Sequence, residues 1–185
     1  MDIEDIIKGC KEGNRKCQDA LVQKFAPGLL ALCSRYTSDR ELAKDALQEC
    51  FINAFKYIQG YEGKGSFEGW LKRIAVTSTL TLHRKYHKIY FSEESESDNY
   101  KNAVFPDVYS DLGIEEIKEL ISELPESQYV VFNMNVVEGF IHSEIAEILG
   151  ITESTSRSML CKARNRLIGL INKREHFVLG KVSSI

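Results

Sequence analysis

Apolar residues recur with a helical period along almost the whole chain, and no other periodicity competes with it. In "SDRELAKDALQECFINAFKYI" they fall at Leu42, Ala43, Ala46, Leu47, Cys50, Phe51, Ala54, Phe55 and Ile58. That spacing draws one wide apolar stripe down a helix. Ser38-x-x-Glu41 reads as a capping box at its start. "DALVQKFAPGLLALCSRY" carries a similar stripe, with a kink or break expected at Pro27-Gly28. After the glycine-rich loop "GYEGKGSF" (60–67), "FEGWLKRIAVTSTLTLHRKYHK" resumes a stripe through Trp70, Leu71, Ile74 and Ala75. Its threonines lower helix propensity without forbidding a helix. Three or four further helices follow, from "IEEIKELISEL", "SQYVVFNMNVV", "SEIAEILG" and "ESTSRSMLCKARNRLIGLI". With three prolines in 185 residues and no credible strand pair, the expected class is all-α.

A chain of this length holds one large or two small domains, and 43% hydrophobic residues suffice for a real core. "SEESESDNYKNAVFPDVYSD" is polar, acidic and without period, as a linker is. The expected organisation is two small helical domains, 1–90 and 114–174, joined by an acidic flexible linker at 91–113. A tail is expected at 175–185.

The net charge of −3 conceals a strong segregation. From Leu71 to Lys88 there are five Lys/Arg and no acid; from Ile89 to Glu153 there are fifteen acids against two bases; from Ser154 to Arg174 there are six Lys/Arg and again no acid. Each basic block is either a solvated helix face or a surface for phosphates. The five cysteines are odd in number, scattered and free of any C-x-x-C pair, the pattern of buried thiols in a reducing compartment. The N-terminal residues lack the basic flank and apolar run of a signal peptide, and no apolar stretch approaches the roughly 20 residues of a membrane helix. The chain therefore reads as cytoplasmic, with no membrane insertion.

"EIAEILGITESTSRSMLCKARNRL" has the spacing of a helix-turn-helix. Ala146 is small where two helices cross, Gly150 leaves the first helix, Ile151 anchors the turn, and Thr152 caps the next helix. Leu160, Ala163 and Leu167 give that second helix a buried face. Thr152, Ser154, Thr155, Ser156, Arg157, Ser158, Lys162 and Arg164 are its candidate DNA contacts. Short hydroxyls permit close approach to base edges, and Arg and Lys reach guanine or phosphate. An αα-hairpin with a polar outer face fits the same residues.

Residues 120–167, with Leu124-Pro125, Glu138-Gly139, Glu144-Ile145-Ala146, Leu149-Gly150-Ile151 and Ala163-Arg164, resemble region 4 of bacterial RNA polymerase sigma factors. Taken alone they also resemble the output domains of response regulators. "DRELAKDALQECFINAF" is similar to sigma region 2, and the pair of regions resembles the two-domain extracytoplasmic-function (ECF) group. The resemblance implies that Asp45, Gln48, Glu49 and Asn53 dock on the β′ clamp helices of core RNA polymerase. It also implies a contact with the β flap, promoter DNA as a partner, and an anti-sigma factor that holds the protein inactive.

"GSFEGWLKRIAV" is similar to the region 2 segment that binds the melted minus-ten element. The resemblance implies minus-ten contacts from Lys64, Phe67, Trp70, Lys72, Arg73, Thr77, Thr81, Arg84 and Lys85, and a flipped base received by the loop Tyr61 to Phe67. Trp70 also reads as a packing residue. Thr77 and Thr81 stand where the family usually carries Asn and a second polar base-reader, and threonine cannot make the bidentate contact of an amide. Ile141 stands where the family places Ser or Thr. The region 4 helix is implied to bind the minus-35 element.

No catalytic constellation, cofactor motif or metal cluster is evident. His83 and His87, four apart, lack a third ligand and read as phosphate or solvent contacts. The alternatives are an autonomous helix-turn-helix regulator, which binds operator duplex without polymerase, and a protein-binding helical adaptor, which has no salt-dependent DNA affinity.

Overall fold

A computed structural model describes the backbone of residues 1–87 and 112–182 and the side chains of residues 1–86 and 116–173. Among the described residues the structure is helical without strands: α1 Ile3–Lys11, α2 Arg15–Arg35, α3 Arg40–Tyr57, α4 Phe67–His87, α5 Leu112–Ser122, α6 Glu126–Phe132, α7 His142–Leu149 and α8 Glu153–Val182. They form two compact units, α1 to α4 and α5 to α8. The linker expected at 91–113 lies outside the described residues, save that α5 begins at Leu112. The backbone of α8 continues through Val182, into the segment expected as a tail. None of the described helices is long and apolar enough to cross a membrane.

In the first unit α3 packs against α2 and α4, and α1 lies on α2. The stripe drawn from the sequence is the one buried: Leu42, Ala43, Ala46, Cys50, Phe51, Ala54 and Ile58 all face the core, with Leu21, Leu32 and Cys33 from α2 and Leu71, Ala75, Val76 and Leu80 from α4. The cap of α3 is one residue later than the Ser38 capping box. Asp39 Oδ1 accepts from the N–H groups of Glu41 (2.9 Å) and Leu42 (3.2 Å), which satisfies two of the helix's free donors. α2 runs through Pro27 as one helix, so of the kink or break expected there the break does not occur. Pro27 and Gly28 face solvent, where water can serve the carbonyl that proline leaves unbonded, while buried Leu21, Leu29 and Leu32 hold the helix on either side.

α1 has the same signals on a smaller scale: an Asp2 cap and Ile3, Ile6, Ile7 and Cys10 on one face. Gly9 lets it approach α2 closely, since a Cβ there would fall 2.2 Å from Cys17 Sγ. In α4, Thr77 and Thr79 donate their hydroxyls to the carbonyls of Arg73 (2.8 Å) and Ala75 (2.7 Å). This back-bonding accommodates threonine in a helix.

In the second unit α5, α6 and α7 each pack on α8. α6 passes into a π turn, Asn133–Val137, which Asn133 steadies by donating from Nδ2 to the Tyr129 carbonyl at 2.9 Å. The Ile141 N–H donates to Glu144 Oε2 at 3.1 Å, half of a capping box; isoleucine has no oxygen to return the bond. Gly150 ends α7 with φ +69°, and its N–H and that of Ile151 both bond the Ala146 carbonyl. Thr152 Oγ1 accepts from the Thr155 N–H at 3.0 Å and caps α8 as its position predicted.

Candidate polymerase and nucleic-acid interfaces

On α3, Asp45, Gln48 and Glu49 are exposed on the side opposite the core, and Asn53 is half-buried beside them. Asn53 Nδ2 donates to Glu49 Oε1 (3.2 Å) and lies 3.5 Å from Ser78 Oγ of α4, so this residue joins the acidic face to the neighbouring groove. Ile52, 52% exposed, sits one turn from Gln48 and Glu49. Sequence reasoning passed over it because it falls off the apolar stripe. That same fact leaves it as an exposed apolar side chain beside the acidic face.

The α3–α4 groove has a volume of about 390 Å³ and is lined by Asn53, Tyr57, Trp70, Arg73, Ile74, Thr77 and Ser78. Trp70, Arg73, Thr77, Thr81, Arg84 and Lys85 recur at helical spacing and share one strip of α4. Thr77 and Thr81 are exposed there, and Arg73 and Arg84 are half-buried. Burial pulls the Arg84 guanidinium below its ordinary value. Because the Thr77 hydroxyl proton is committed to Arg73, its oxygen remains as an acceptor.

Three expected contacts do not join that strip. Phe67 is 6% exposed, packed against Phe25, Tyr61 and Trp70 with centroids 6.0, 5.1 and 5.3 Å away, so it stands in the core. Lys72 falls on the side of α4 that carries Leu71 and Ala75 and pairs with Glu68 at 3.2 Å. Lys64, on the loop, pairs with Glu62 at 2.6 Å. The loop itself closes through Tyr61, whose hydroxyl donates to the Gly65 carbonyl at 2.9 Å, while Lys11 Nζ donates to the Tyr61 carbonyl at 2.7 Å. His83 is buried, one turn past Thr79, and is neither a phosphate nor a solvent contact; the His87 side chain and Lys88 lie outside the described residues.

On α8, Ser156, Met159, Leu160 and Ala163 are buried. The opposite side presents Ser154 and Ser158, with Arg157 and Arg164 along one edge and Thr155 and Lys162 along the other. Thr152 is exposed at the entrance. Ser156 departs from the exposed face expected for it. It has no exposed surface, and its Oγ lies 2.8 Å from His142 Nδ1. Cys161 and Asn165, one and two turns past Ser158, continue the exposed line; Asn165 Nδ2 lies 3.8 Å from Cys161 Sγ. Continuing the i, i+3, i+7 progression from Ser154 and Ser158 would have found both. Arg157 pairs with Glu153 at 2.7 Å, so any contact it makes must compete with that carboxylate.

Cys10, Cys17, Cys33 and Cys50 are buried, as a reducing-compartment pattern predicts, whereas Cys161 is exposed. Burial pushes the Cys33 thiol up to about 11 and the Cys50 thiol to about 12, and raises Cys10, with Cys17 adding to it. These thiols behave as small apolar groups.

Two family descriptions match the chain in order: Sigma-70 region 2 over residues 21–89, and Sigma-70, region 4 over residues 114–167. The chain belongs to the sigma-70 family of RNA polymerase sigma factors, in its ECF group. It is similar to the ECF RNA polymerase sigma-E factor of Haemophilus influenzae, 25% identical over 173 residues covering 88% of this chain and 91% of that protein. It is likewise similar to the ECF sigma factor SigM of Bacillus subtilis, 28% identical over 160 residues covering 84% and 95%. Its fold is like that of the sigma factor RpoE in a co-crystal structure with the anti-sigma factor NepR from Bartonella quintana. That match has a TM-score of 0.57 and 22% identity, covering 83% of this chain and 96% of that one.

Proposed function

We propose that the protein starts transcription by docking on core RNA polymerase through α3 and holding promoter DNA in two forms, a melted strand on α4 and duplex on α8. The observation that carries this reading is the exposed Asp45, Gln48 and Glu49 face standing beside the α3–α4 groove with its threonine and arginine strip. Carboxylates and amides there pair with polymerase cations, and Ile52 supplies the apolar centre such an interface needs. A separated strand lies along α4 with its phosphates toward Arg73, Arg84 and Lys85 and a base toward the groove beside Trp70. α8 enters the major groove of the upstream, minus-35 element with Ser154, Arg157 and Ser158 leading.

The role is non-catalytic: binding energy, not bond chemistry, selects the start site. It is exercised in the cytoplasm, where polymerase and promoters are. The RpoE relative is seen bound to an anti-sigma factor, and an inhibitor of that kind fits this chain as well, because the faces it would cover are exposed on both units. The flap contact would be made by the second unit. The domain boundaries at 90 and 114, with a tether between, complete the reading.

Run-off transcription with purified core polymerase on a library of promoter fragments tests it. Start sites that require the protein are expected on a subset, and none on any fragment would sink the proposal. Tight, specific duplex binding by the pure protein, with no effect on polymerase, would instead support an autonomous regulator. Changing Asp45, Gln48 and Glu49 together to Ala should weaken polymerase binding on the order of a hundredfold with helicity unchanged. Normal affinity in that variant would remove the α3 docking face.

A further inference from the structure

His142 opens α7, yet its imidazole belongs to the second helix of the motif. Its Nδ1 lies 2.8 Å from the Oγ of fully buried Ser156, which pins the ring against α8. There it faces three charged groups of α8: Arg157, Glu153 and Arg164. The Glu153 carboxylate is taken by Arg157 at 2.7 Å, and on its own helix Glu144 accepts the Ile141 N–H. The ring is half-exposed, and among the described residues Nε2 has no hydrogen-bond partner. Burial and the two arginines hold its protonation below the ordinary imidazole range.

An imidazole fixed at one nitrogen, open at the other and flanked by two guanidinium groups is a poor home for a proton until an anion arrives. We propose that His142 is a phosphate-binding residue of the duplex-facing surface, positioned by Ser156, and that it takes up one proton from solvent when a DNA phosphate docks against it and the neighbouring arginines. The proposal rests on the reading of α8 as the duplex-facing helix. The bond to Ser156 survives the change with its donor reversed. In the neutral ring with hydrogen on Nε2 the serine hydroxyl donates to Nδ1; in the charged ring Nδ1 donates to the serine oxygen and Nε2 donates to the phosphate. Because the phosphate favours the charged ring, linkage requires that acid tighten DNA binding.

The test uses the full chain and a short, fully paired DNA duplex, with binding followed by anisotropy across a salt series at about pH 8 and about pH 5.5, either side of the free imidazole value of about 6.5. For the wild type, the slope of log affinity against log salt should steepen by roughly 0.9 at the acid end, the increment for one added phosphate contact. His142→Gln keeps a hydrogen-bonding group near Ser156 and cannot titrate, so its slope should stay constant. The NMR titration of the His142 ring should move upward when duplex is added. A His142→Gln protein that retains the wild-type steepening, or a ring titration unmoved by DNA, overturns the proposal. Arg164→Ala separates this from the underlying reading: it should weaken duplex binding at both pH values. If it has no effect, the assignment of α8 to duplex falls, and the role of His142 with it.

Discussion

Helix α4 is held along most of its length by α2 and α3, whereas among the described residues of α8 the fully buried ones all lie on one side of its first three turns. On α4 the buried set runs from Phe67 through Leu71, Ala75, Val76, Ser78, Thr79 and Leu80 to His83, and a strip beside a groove is left open. On α8 the buried set ends at Ala163; beyond it Arg164, Asn165, Arg166 and Ile168 are all exposed. The two carry the acid-free basic stretches Leu71–Lys88 and Ser154–Arg174, and they differ in packing. A strip with an aromatic wall suits an unstacked base and a single backbone. A convex helix about 10–12 Å across suits a major groove of about 12 Å. Positive charge alone names the partner's charge; the curvature around it names the partner's shape.

The strongest test of this division is Phe67→Ala. Removing a ring packed against Phe25, Tyr61 and Trp70 should cost the first unit about 3–5 kcal/mol, read as a lower melting temperature, and should leave duplex binding by the intact second unit unchanged. An equal loss of duplex affinity would break the division. Next in size is Arg157→Ala, which should cost roughly 1 to 3 kcal/mol of discrimination at a single base pair if Arg157 reaches a base edge. A uniform loss across all sequences would make it a phosphate contact. A smaller effect is expected for Ser156→Ala: about 1 kcal/mol of stability from the lost bond to His142, with base preference untouched because the residue is buried. A changed base preference would return Ser156 to the DNA-reading face.

The smallest is a pH effect on folding without DNA. Burial first, then Arg157, holds the His142 imidazole below its ordinary range, so the native state favours the neutral ring. Its contribution is complete above the unfolded value of about 6.5 and is lost as pH falls below that, through the folded value. Wild-type melting should therefore decline more than that of His142→Gln between about pH 7.5 and pH 5.5. Parallel declines would show that other groups carry the acid sensitivity.

Most of the helices and the Gly150 turn were legible in the sequence, because an apolar stripe and a positive-φ glycine are local signals. What the sequence hid was helix phase. Phe67 and Ser156 each sit at the first turn of a helix, where residue type allows either exposure or burial. Only the packing of Tyr61 and Trp70 in one case, and of His142 in the other, turns them inward. At Pro27 the sequence left a kink or a break open: its local cost is real, but a solvent-facing position lets the buried leucines on either side keep the helix continuous. Cys161 was grouped with four buried thiols by composition, although its spacing from Ser154 and Ser158 places it on the open face. α1 was missed although Asp2 and its isoleucines carried the usual signals.

The central claim, that α4 takes single-stranded DNA and α8 takes duplex, is tested most directly in the assembled polymerase complex. Competition binding with a single-stranded minus-ten oligonucleotide and, separately, a paired minus-35 fragment would be measured for Arg73→Ala combined with Thr81→Ala, and for Arg164→Ala. The α4 variant should lose affinity for the single strand alone, and the α8 variant for the duplex alone. If both variants weaken the same form of DNA to the same degree, the two helices do not divide the promoter as proposed.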